Sequence, residues 1–180
     1  PPNANTDHWN VDYVYMKNNR SDNDSISDVG LINRPTTILQ EFTSMPWPHY
    51  SASVPLKSTV SDSARNIGYG PTTVQYFYSI TDEFGGKVCS TSGNDGSSFS
   101  GKVSTFPHSL TSCSITHTST DSAVFFIKDS LAANGVLNVN NDVSTNEQKF
   151  YNYYSYDDGS AELNAGLSGS NLKWAMQFDV

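Results

Sequence analysis

The chain has 180 residues and a formal net charge of −8, and it is 36% hydrophobic and 12% aromatic. Its 10 Lys and Arg are scattered among 18 Asp and Glu, which leaves no basic footprint for nucleic acid and no polybasic patch for an anionic membrane. The longest apolar runs, such as residues 123–127, are far too short to span a bilayer as a helix, and the helix formers Ala, Leu, Glu and Lys are sparse, so short strands joined by polar loops are expected.

In chain order, residues 7–16 (DHWNVDYVYM) set Trp9, Val11, Tyr13 and Tyr15 on one face of a first strand. A polar loop runs to residue 28, and a short extended piece, 29–32, is interrupted by Asn33-Arg34-Pro35. Residues 36–42 (TTILQEF) fit either a capped helical turn or a short strand. Pro46 and Pro48 deny regular helix to MPWPHY, because each removes an amide donor and holds its predecessor extended. Residues 58–68 alternate Val60, Asp62, Ala64 and Asn66 against Thr59, Ser61, Ser63 and Arg65, a strand whose inner face is weakly marked.

The fold is expected to centre on residues 73–88 (TVQYFYSITDEFGGKV). Val74, Tyr76, Tyr78 and Ile80 form an apolar face, while Gln75, Phe77, Ser79 and Thr81 form the other. The turn residues DEFGG then close a hairpin. Beyond it, residues 90–101 read as a Ser/Gly/Asn loop and 102–106 as an edge strand ending at Pro107. Residues 109–118 alternate, 122–128 are the most apolar strand, and 147–156 are an aromatic strand containing Phe150, Tyr151, Tyr153, Tyr154 and Tyr156. Strand and turn signals recurring roughly every ten to fifteen residues indicate an all-β sandwich.

Cys89 and Cys113 bracket a polar loop, and in an acidic, Ser/Thr-rich chain of exported character they are expected to form a disulfide; two separate buried thiols are the alternative. His8, His49, His108 and His117 are isolated, lie in no nucleophile elbow or zinc-helix motif, and read as loop or strand-surface residues. Asp157, Asp158 and Glu162 around a Gly turn form a candidate calcium cradle, against the plainer reading of an Asp-Asp-Gly turn. Trp47 between two prolines and Tyr69 between two glycines are the candidate sugar-stacking aromatics. For Trp47 a role as a lid on the end of the sandwich weighs against this, since large aromatics are mostly buried.

Four stretches carry a family likeness: DHWNVDYVYM with NRSDNDSISDVG, then TSMPWPHY, then FYNYYSYDDGSAE. Together they resemble multidomain exported cell-surface proteins of Bacteroidota, substrates of type IX secretion built from jelly-roll and Ig-like domains. ARNIGYGPTTVQYFYSI is also similar to bacterial adhesion-type Ig-like modules. The resemblance implies an extracellular or cell-surface setting and an Ig-like sandwich, and it brings no active site. It also implies that the tripeptides around Ser25, Ser63, Ser122 and Ser130, each an Asp-Ser followed by a small or aliphatic residue, are O-glycosylation sequons; the alternative is four strand-edge turns.

The expected organisation is the end of an upstream jelly-roll-like domain plus linker over 1–30, an Ig-like β-sandwich over 31–154, and the start of a following β domain over 155–180. The chain opens Pro1-Pro2-Asn3 without Met, as a segment of a longer protein would. The expected function is a non-catalytic structural or adhesive module that spaces or links domains, its partners being neighbouring domains or copies of the same protein. A carbohydrate-binding module contacting surface glycans through loop aromatics and calcium is the alternative. The strand-like ends, 7–16 and 172–180, are expected to pair outside the central sandwich.

Overall fold

The computed structural model describes residues 28–50, 54–67, 72–95, 103–133 and 140–156, together with Met16, Asn18, Asn19 and Ser21. Both expected end strands and the 157–162 cradle lie outside these residues, Met16 excepted. Among the described residues seven strands form two antiparallel sheets packed as a sandwich: β1 Val29–Leu31, β2 Thr59–Asn66, β3 Val74–Asp82, β4 Lys87–Asp95, β5 Val103–Ser109, β6 Ala123–Ala133 and β7 Val143–Phe150. One sheet has the order β1-β2-β5 and the other β4-β3-β6-β7. No helix among the described residues is long and apolar enough to cross a membrane.

The central hairpin follows its alternation. Val74, Tyr78 and Ile80 are buried, Tyr76 is half-buried, and Gln75 and Phe77 are exposed on the opposite face. At the turn, Asp82 Oδ1 accepts hydrogen bonds from the amides of Phe84 and Gly86, and Gly85 takes the positive φ of 83° that favours glycine. β4 then continues to Asp95, through residues whose composition reads as loop, because β3 offers it a paired register from Val74↔Asp95 to Ile80↔Cys89. Gly93 stands opposite Tyr76, where a Cβ would collide with the Tyr76 ring. The glycine therefore lets that ring lie across the edge strand and stack on Phe106.

Three further expectations change. β5 runs through Pro107 to Ser109, since it is an edge strand and its proline costs the sheet no inner donor. Residues 110–122 are not a strand; the chain turns there, with the Cys113 amide bonded to the Leu110 carbonyl. β7 ends at Phe150, and Ser155 instead bridges Ser44.

Residues 36–42 are neither helix nor strand. Their position beside β7 is fixed by Gln148, a fully buried side chain. Its Oε1 accepts from the Ile38 amide at 3.0 Å, and its Nε2 donates to the Thr43 carbonyl at 2.8 Å. Asn146 Nδ2 adds a bond to the Pro35 carbonyl. This segment covers the outer edge of β7, where bare backbone groups would otherwise invite pairing. The sandwich also takes in Val29, which is buried against the second core, so it begins ahead of residue 31.

The interior holds two apolar clusters. The larger contains Ile38, Leu39, Val60, Tyr78, Ile80, Phe125, Ile127 and Phe150, and the smaller contains Val29, Ala64, Val74, Phe106 and Leu131. Between them β2, β5 and β6 each contribute one polar residue at the same level, so a polar layer crosses the sandwich: Asp62 between Val60 and Ala64, His108 between Phe106 and Leu110, Asp129 between Ile127 and Leu131.

A second buried acid pair lies beside β1. Asn141 Nδ2 donates to Asp28 Oδ2 at 2.8 Å, and burial, followed by the Asp28 carboxylate, pushes the Asp142 carboxyl up to about 6. A raised folded-state value means that the fold holds this proton more tightly than the unfolded chain, whose Asp titrates near pH ~4. Asp142 therefore removes stability as pH rises from about 4 to about 6. Asp142→Asn should match the wild type near pH ~4 and become the more stable protein by pH ~7. Urea midpoints at both pH values check this, and a difference that does not change with pH contradicts it.

Candidate functional site

The structure packs Trp47 into the end of the sandwich. Pro46 and Pro48 confine the segment to a single 3-10 turn, Trp47–His49. The indole stacks on Tyr50 with ring centroids 5.4 Å apart, meets Phe150 edge-on at 5.2 Å, and donates from Nε1 to the Ser119 carbonyl at 2.8 Å. Those contacts make the half-buried indole a lid on the larger core, the second of the two readings weighed for it. Tyr69, Asp157, Asp158, Glu162 and Ser25 lie outside the described residues.

Cys89 and Cys113 are joined as a disulfide with their Cα atoms 5.4 Å apart, tying β4 to the 110–122 segment. Of the sequon serines, Ser122 is exposed just before β6. Ser63 and Ser130 sit half-buried within β2 and β6 rather than in edge turns, and the Asp preceding each is interior.

A groove of about 1280 Å³ lies on the outer face of β3, β6 and β7, walled by residues 34–37 and by Tyr153 and Ser155. Alternation produces its floor. Tyr78, Ile80, Phe125 and Ile127 point inward, so Ser79, Thr81, Phe126 and Lys128 must point out. Cross-strand register aligns them in two rows, Ser79–Lys128–Thr145 and Thr81–Phe126–Glu147. Phe126 is 41% exposed and Tyr153 47%. Arg34, Lys57, Lys128 and Lys149 border the groove, which is 4 of the chain's 10 cations, and its one acid, Glu147, is paired with Lys149 at 3.0 Å. An acidic protein thus gathers positive charge, hydroxyls and two exposed rings in one trough.

The polar layer inside the sandwich is the second assembled group, and it corrects the reading of His108 as a surface residue. His108 is buried, its ring stacked on Tyr78 at 4.8 Å, and its Nδ1 shares a hydrogen bond with Thr91 Oγ1 at 3.0 Å. Its Nε2 faces Asp62 Oδ2 at 3.4 Å and Asp129 Oδ1 at 3.8 Å. Burial pulls the imidazole down against the opposing pull of the Asp62 carboxylate. Burial, then the adjacent Asp62 carboxyl, pushes Asp129 up to about 9. The Tyr78 phenol is raised by burial first and by both carboxylates after it. His117 is interior too, packed between Phe84 and Phe125 and paired with Glu83 at 3.2 Å.

The polar layer left a trace in the sequence. Asp62, His108 and Asp129 each stand two residues from apolar neighbours on the same strand face, which marks an inward position. What the sequence could not show is that three separate strands bring them to one level. Comparison of the chain with family models, curated proteins and solved structures finds no match.

Proposed function

We propose that this chain is a non-catalytic adhesive module of an exported, cell-surface protein, and that it holds an acidic glycan in the groove across β3, β6 and β7. The observation that carries the reading is the composition of that groove: cations, hydroxyls and two exposed rings on a rigid sheet face. Lys and Arg pair with uronate or sulfate groups, Ser and Thr hydroxyls exchange hydrogen bonds with sugar hydroxyls, and Phe126 and Tyr153 offer apolar faces to sugar rings. The disulfide supports an oxidising, exported setting.

The Ig-like reading draws support from the connectivity. The chain makes the β3–β4 hairpin, crosses to β5 beside β2, and returns to β6 beside β3, a Greek-key path that Ig-like sandwiches use.

An array of neutral, uronate-containing and sulfated glycans tests the reading. Wild-type protein should bind acidic glycans with an affinity that falls as salt rises. Lys128→Glu should weaken binding by about tenfold or more, without loss of fold. Retention of only neutral glycans, or acidic-glycan binding unchanged in Lys128→Glu, rules the groove out.

A further inference from the structure

We propose that Asp62, His108 and Asp129 are ligands of a structural divalent transition-metal ion of the zinc class, held between the two sheets. One ligand atom from each residue lies within 4.8 Å of the others, and all three residues are buried. Asp62 and His108 come from the β1-β2-β5 sheet and Asp129 from the facing sheet, so an ion bound there cross-links the sandwich at the level where its apolar cores part.

Two observations beyond the acid pair point to an ion. Apart from their approach to each other and to His108 Nε2, the four carboxylate oxygens of Asp62 and Asp129 have no hydrogen-bonding partner among the described residues, and neither does the hydroxyl of fully buried Tyr78. Buried polar atoms are rarely left so. A single proton shared between the carboxyls would satisfy one contact and leave the rest. A divalent cation engages both carboxylates and the imidazole together and neutralises their charge.

The second observation is the setting of His108. With Thr91 on Nδ1, the other ring nitrogen is turned towards both carboxylates. That is the arrangement of a metal-binding imidazole oriented by a hydrogen bond on its far nitrogen. One nitrogen and two carboxylates suit a first-row ion better than calcium or magnesium, which take mainly oxygen. Because the ligands are buried, the ion would enter during folding and contribute to stability rather than exchange freely.

The test uses the full chain without a polyhistidine tag, refolded in chelator-treated buffer with Zn(II), with Co(II), or with chelator alone. The expected result is about one equivalent of zinc per chain after dialysis and a melting midpoint about 5–10 °C above the chelator-refolded protein. Co(II) should give visible d–d absorption bands. Asp62→Asn and Asp129→Asn should each lose the bound ion, the cobalt bands and the zinc-dependent shift. Should a variant fail to fold, the three wild-type preparations decide the matter alone. A metal content below about a tenth of an equivalent, with the same melting midpoint under all three conditions, overturns the proposal. So does an Asp129→Asn protein that binds zinc like the wild type.

Discussion

Phe125→Ala should lower the unfolding free energy by about 3–5 kcal/mol, whereas Phe126→Ala should lower it by no more than about 1 kcal/mol. The two residues are adjacent on β6, but a strand turns successive side chains to opposite faces. Phe125 is fully buried and packs edge-on against Phe150, with Trp47 and His117 also in contact. Truncating it leaves a ring-sized cavity that neighbours on several elements cannot collapse to fill. Phe126 stands in the groove, so its loss should appear as weakened acidic-glycan binding instead. Urea denaturation at constant m value measures the first effect, and equal losses for the two variants would mean that the register of β6 is wrong.

Replacing both cysteines by serine should cost about 3–4 kcal/mol. The bond closes a loop across a sequence separation of 24 residues, and its removal returns that loop-closure entropy to the unfolded chain. Cys89 and Cys113 also pack against the larger core, so two serine hydroxyls add a smaller penalty. The loss should appear as a lower urea midpoint in the double variant, and reduction of the wild type should reproduce it. A double variant within about 0.5 kcal/mol of the wild type would show that the 110–122 segment is held by packing alone.

Most of the strand framework was legible from side-chain alternation. Val74 to Ile80 marked their own inner face, and the cysteine pair fixed a contact across 24 residues. β4 beyond Ser90 was not legible, because Ser, Thr and Gly carry little pattern and their strand exists through pairing with β3. Residues 110–118 failed the other way: they alternate locally but have no strand partner among the described residues. The polar layer was hidden for a related reason. Asp62 occupies an inward position that a sequence reader assigns to turn or surface chemistry, and only the pairing of β2 with β5, facing β6, brings it to His108 and Asp129. The groove escaped the sequence because its cations come from residues 34, 57, 128 and 149, which no local motif connects.

The adhesive reading stands on one surface, and backbone-amide NMR during titration with an acidic oligosaccharide examines that surface directly. Saturable shifts are expected to concentrate on Ser79, Thr81, Phe126, Lys128, Thr145 and Glu147, the rows that floor the groove. Shifts confined to the Trp47 end of the sandwich or to the β1-β2-β5 sheet, or no shifts at millimolar ligand, would contradict that reading.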